Sequence, residues 1–169
     1  MFQDLSEIIE EGKKTVVSHI NQTLTLVYWQ VGQRINQEIL GYERAEYGKQ
    51  VVVEISKTLE RKYGRSFSVR NVRRMIQFSE VFPDMEIVSP LATQLSWSHF
   101  VELLPINNAN ARLFYAQKSA EEKWSKRLLR KQIERKVYER KEIAQVQIKD
   151  SLPMADSTFK DPCFLAFLS

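Results

Sequence analysis

The sequence predicts an all-α domain with a helix-turn-helix core, and three observations carry that prediction. Glycine and proline are scarce, five of each in 169 residues, while the good helix formers Glu, Lys, Arg, Gln and Leu abound. Apolar residues recur at spacings of three and four along most of the chain, as one buried helix face requires. The third observation is residues 47–82, where two such stripes flank a four-residue turn, Gly64-Arg65-Ser66-Phe67. The first stripe holds Val52, Ile55 and Leu59 and predicts a helix to Lys62. Gly64 then stands where a left-handed residue ends a helix, and Ser68 where a hydroxyl can cap the next one. That second helix buries Val72, Ile76 or Met75, and Phe82, which turns Arg70, Asn71, Arg73, Arg74 and Gln77 outward.

In chain order, residues 4–40 carry one nearly unbroken stripe: Leu5, Ile8, Ile9, Gly12, Val16, Ile20, Leu24, Val27, Val31, Ile35 and Ile39. It predicts one long helix, or a pair broken near Asn21-Gln22-Thr23, ended by Gly41. So long a stripe needs a partner, either the rest of the domain or a second copy. After the central helices, Pro83 stops the second one and Pro90 falls in a link with room for a small winged-helix-like hairpin. Ser96 or Ser98 then starts a short helix to Leu104, and Asn107 caps another to about Glu122. Ser125 caps a basic helix from Lys126 to Lys141, its stripe being Leu129, Ile133 and Val137. Helical periodicity fades after Ile143, so residues 1–142 are expected to form the domain and 143–169 a linker and tail with an apolar end.

Charge is gathered rather than spread. Residues 57–74 hold seven bases against one acid, and residues 118–142 ten bases against five. The stretches 1–48 and 75–117 each carry a net charge of −3. Two basic blocks between acidic ones imply a side that faces a polyanion. No apolar run is long enough to span a membrane, no secretory signal opens the chain and Cys163 stands alone, so a cytoplasmic protein is expected. Catalytic patterns are missing: His19 and His99 cannot make a usual zinc site with one cysteine, and no glycine-rich phosphate loop follows a strand. Glu134-Arg135-Lys136 and Glu139-Arg140-Lys141 match a nuclease E-x-K triplet formally, yet both lie in the basic helix, with acid and lysine roughly 200° apart. They are surface charges. No catalysis, metal or cofactor is expected in this chain.

Several segments together carry a family resemblance. They are Leu26-Val27-Tyr28-Trp29-Gln30-Val31-Gly32, Tyr47-Gly48, Arg65-Ser66-Phe67-Ser68, Asn71-Val72-Arg73-Arg74-Met75 and Leu95-Ser96-Trp97-Ser98-His99. With Asn110, Arg112, Phe114-Tyr115 and the Trp124-Ser125 junction, they resemble the N-terminal domain of the YhcG-like nuclease-type family over about residues 5–142. The resemblance implies a helical DNA-binding domain, followed in full-length relatives by a metal-dependent nuclease domain of the PD-(D/E)xK type. This sequence stops where that domain would begin.

The leading expectation is therefore a module that binds duplex DNA. Its candidate contacts are Arg61, Lys62, Arg65, Ser68, Arg70, Asn71, Arg73, Arg74 and Gln77, with Lys126, Arg127, Arg130 and Lys131 on the second basic helix. Arginine suits guanine and phosphate, and Asn or Gln suits adenine, for reasons of hydrogen-bond geometry. The alternative is a protein-interaction or dimerisation module. Its N-terminal helix would pair with a second copy and its basic helices with an acidic partner. RNA is disfavoured because no exposed aromatic platform is evident.

Overall fold

The computed structural model describes residues 2–40 and 45–151, with side chains at 3–39 and 47–147. Among them run eight α-helices and no strand: α1 Phe2–Leu40, α2 Ala45–Tyr63, α3 Val69–Val81, α4 Met85–Ala92, α5 Trp97–Leu103, α6 Ala109–Glu121, α7 Lys126–Glu134 and α8 Val137–Ser151. A single 3-10 turn, Arg65–Phe67, joins α2 to α3. The described part of the chain is all-α, as its composition predicts.

The first helix is continuous; Asn21-Gln22-Thr23 does not break it. At about 1.5 Å per residue its 39 residues span roughly 58 Å. Only its C-terminal half is embedded: Thr25, Tyr28, Trp29 and Ile35 are buried, whereas Leu5, Ile8, Ile9, Val16 and Ile20 are more than half exposed. Trp29 anchors the helix by donating its indole N–H to the Phe82 carbonyl at 2.7 Å. Gly32 is the point of closest approach to α3. A β-carbon there would lie 1.9 Å from the Met75 carbonyl oxygen, so only glycine lets the two backbones meet.

Two apolar clusters fill the interior. Tyr28, Ile35, Val52, Val72 and Met75 join α1, α2 and α3. Trp29, Phe78, Phe82, Val88, Leu95, Phe100, Leu103, Tyr115 and Leu129 join α3 to the later helices, and Trp97 packs against both clusters. The Phe78 ring lies tilted against Phe100 at 4.8 Å and edge-on to Trp97 at 5.3 Å, and is fully buried. Truncating such a ring costs about 3–5 kcal/mol. Arg112 closes the centre. Its guanidinium, buried, donates to the Ile106 carbonyl through Nε and Nη2 and to the Val81 carbonyl through Nη1, over the face of Phe82. Backbone carbonyls serve it instead of a carboxylate, and burial lowers its pKa from the usual value.

Several boundaries differ from the sequence reading. In place of a wing, residues 85–92 form α4 with Pro90 inside it and Asp84 capping the Glu86 N–H at 2.9 Å. Proline late in so short a helix removes only one backbone bond. Asn108, not Asn107, caps α6 by accepting from the Ala111 N–H. Ser125 does cap α7, but the basic helix ends at Glu134 because Lys136 turns left-handed at φ 53°. Helical structure then resumes as α8 and runs past Ile143 to Ser151. The apolar end of the chain lies outside the described residues.

Candidate nucleic-acid interface

Gly64 makes the junction between α2 and α3. Its φ of 94° with ψ −175° is open to glycine alone, and its N–H still bonds to the Glu60 carbonyl at 2.8 Å. One 3-10 turn brings the chain round to Ser68. The Ser68 hydroxyl makes no cap bond; its carbonyl instead accepts from the Val72 N–H at 2.9 Å.

At 100° per residue, Arg70, Arg73, Arg74 and Gln77 fall within about 100° of arc on α3. Val72, Met75, Phe78 and Ser79, all buried, occupy the opposite side. The outward face thus carries three arginines and a glutamine, with Glu80 exposed two turns beyond Arg73, and none of the arginines has an ion-pair partner among the described residues. Arg61, Lys62 and Arg65 continue this positive region over the end of α2 and the turn, all exposed. Lys62 also lies 5.3 Å over the Tyr63 ring.

Two predicted base readers are occupied within the fold. Asn71 donates its amide to the Ser66 carbonyl and accepts the Trp97 indole N–H at 3.1 Å. Its carboxamide therefore pins the turn to α5, with one N–H and one oxygen lone pair already engaged within the fold. Gln77 donates to the Leu104 carbonyl at 3.2 Å.

On α7, Arg130 forms a two-pronged pair with Glu102 of α5 at 2.6 and 3.0 Å, and Lys126 lies 3.6 Å from the same carboxylate. The Arg130 hydrogen bond holds the Glu102 carboxyl below the usual carboxylate range, against the opposing pull of its partial burial. Arg127 and Lys131 are exposed and have no ion pair among the described residues. The structure also adds Lys49 and Lys57, which line a groove with Arg73 between α2 and α3. Lys57 belongs to the basic block of the sequence; that Lys49 shares a groove with Arg73 follows only from the helix packing.

His99 is structural. Its Nε2–H donates to the Trp124 carbonyl at 2.8 Å, and its Nδ1 faces the Ser96 N–H and hydroxyl. The Glu139 carboxylate accepts from the Tyr115 hydroxyl at 3.2 Å, so that E-x-K triplet is part of the packing. Among the described residues no group of three or more His, Cys, Asp or Glu side chains is placed to hold a metal ion. No described helix is long and apolar enough to cross a membrane.

Fold and surface together define an all-helical module with a basic face. Residues 4–140 match the DUF1016 N-terminal domain, and the chain belongs to that family. It is 28% identical to "Putative nuclease YhcG" of Escherichia coli strain K12, over 95% of this chain and 53% of that protein. The chain thus spans about half the length of that relative. No solved structure matches it significantly.

Proposed function

We propose that this chain is the DNA-binding module of a nuclease-type protein, with α3 of a helix-turn-helix facing the duplex. The observation that carries this reading is the outward face of α3, where Arg70, Arg73 and Arg74 stand together without acidic partners. Nuclease-type kinship supports DNA as the polyanion. Arg61, Lys62 and Arg65 hold phosphates, Arg70 and Arg74 approach the groove, and Arg127 and Lys131 add charge from α7. Residues 1–142 form the module, the reaction belongs to a nuclease domain of full-length relatives, and the setting is cytoplasmic. The double change Arg73→Glu with Arg74→Glu is expected to weaken duplex binding at 50 mM salt at least a hundredfold, with helix content unchanged. Unaltered affinity would mean that another face binds.

A second observation favours self-association. At 100° per residue, Leu5, Ile9, Val16, Ile20 and Val27 lie on the side of α1 away from Thr25, Trp29 and Gly32, and the described residues leave them exposed. Gly12 sits in this stripe with open space where a β-carbon would stand, nothing lying within 4 Å of that point, unlike Gly32. Mid-helix glycine costs about 1 kcal/mol against alanine, a cost that close approach of another helix offsets. The stripe spans roughly 33 Å, and pairing a third of the helix circumference over that length covers on the order of 800 Å² in total, enough for a weak dimer. The occupant is therefore a second copy. Val16→Asp with Ile20→Asp should turn a concentration-dependent dimer into a monomer by sedimentation equilibrium; a wild-type chain monomeric at 100 µM (roughly the range of a weak dimer) would refute it.

A further inference from the structure

We infer that the groove between α2 and α3 is a phosphodiester-binding site held by Lys49, Lys57 and Arg73. The inference rests on the reading of the α3 face as the nucleic-acid side, and it goes further by assigning Arg73 to the backbone and not to the bases. The groove encloses about 290 Å³ and is lined by Lys49, Gln50, Val53, Glu54, Lys57 and Arg73. Lys49, Val53 and Lys57 follow one another at four-residue steps along α2, so both ammonium groups border the same depression. Arg73 meets them from α3.

Three cations around one depression repel each other, and the fold supplies little to relieve this. Elsewhere the acids within reach are used: Glu10 pairs with Lys13, Glu38 with Arg34, and Glu102 with both Lys126 and Arg130. In the groove only Glu54 is at hand, and it forms no ion pair with Lys49, Lys57 or Arg73 among the described residues. The net charge of the lining is therefore positive and its donors are unoccupied. A phosphate oxyanion matches both properties: two ammonium groups and a guanidinium can each donate to it. Val53, between the two lysines in the lining, would contribute an apolar wall against the sugar. Arg70 and Arg74, further round α3, remain outside the groove.

The test compares the full chain with its Lys49→Gln, Lys57→Gln variant, titrating duplexes of two unrelated sequences between 50 and 200 mM salt. Both lysines are exposed, so helix content should be unchanged, which circular dichroism checks. The variant is expected to weaken both duplexes equally, by about tenfold at the lower salt, and to flatten the slope of log K against log salt by about two. Glu54→Gln should act in the opposite sense and tighten both a few-fold. Inorganic phosphate added at constant ionic strength should not displace the duplex; displacement by millimolar phosphate would make the free anion the ligand and overturn the assignment to a strand. A wild-type chain that binds no duplex at 50 mM overturns the underlying reading and the groove with it. A chain that binds, but whose lysine variant keeps the same affinity and slope, overturns the groove alone.

Discussion

Helices α3 and α7 carry similar charge and meet different neighbours. On α3, Arg70, Arg73 and Arg74 face outward with no carboxylate within ion-pair distance among the described residues. On α7, Arg130 and Lys126 converge on Glu102, which sits on the adjoining α5. Both helices read as basic amphipathic stretches in the sequence. What separates them is the helix each packs beside: α3 lies against the apolar sides of α1 and α2, while α7 lies against a helix that presents an acid. A basic helix offers binding capacity only to the extent that its own fold leaves it unneutralised. By that criterion α3 is the primary face and α7 an auxiliary one.

The strongest challenge to this ranking is to reverse charge on each helix in turn. Arg127→Glu with Lys131→Glu on α7 should cost about tenfold in duplex affinity at 50 mM salt, against the hundredfold or more expected for the α3 pair. Equal losses, or a larger loss on α7, would invert the ranking. Asn71→Ala comes next and separates architecture from base reading. It strips the Trp97 indole N–H and the Ser66 carbonyl of their partner, so it should destabilise the fold by about 1–3 kcal/mol in urea unfolding. Affinity measured well inside the folded range should change less than threefold. Loss of preference at one base position with unchanged stability would instead make Asn71 a reader.

Glu102→Gln is the gentlest of the changes. It frees Arg130 and Lys126, so duplex affinity should rise a few-fold, and the stability cost should stay below about 1 kcal/mol because the pair is largely solvated on the arginine side. The same residue sets a pH dependence. Its folded pKa lies below the unfolded one, so its contribution is present above the ordinary carboxylate range and is lost as pH falls through the lowered value. The difference in unfolding midpoint between wild type and Glu102→Gln should therefore shrink under acid conditions; a difference that grows there would have the sign wrong.

Local rules made much of the fold legible and non-local contacts hid the rest. Gly64, the stripe of α3 and the Ser125 cap were readable because glycine conformation, helical spacing and a capping hydroxyl act within a few residues. The α4 helix was hidden by Pro90, whose usual effect is to stop helices, and the end of α7 by Lys136, a left-handed lysine that no propensity favours. Arg70, Arg73 and Arg74 could be placed on one face from spacing alone. The engagement of Asn71 could not, because its partner Trp97 is 26 residues away. Likewise Glu102 and Arg130 are 28 residues apart, and the groove of Lys49 and Arg73 exists only once α2 and α3 pack. Residue type showed which side chains can bind a polyanion; packing decides which of them remain free to do so.

The most direct measurement of the central claim is the affinity of the intact chain for a fluorescent DNA duplex at 50 and 200 mM salt, beside a duplex RNA of equal length. With six to ten phosphates contacted, DNA affinity should fall by about 10³ to 10⁵ between the two salts, with RNA bound more weakly. Absence of DNA binding at 50 mM, or binding indifferent to salt, would contradict the account and leave the basic face to an acidic protein partner.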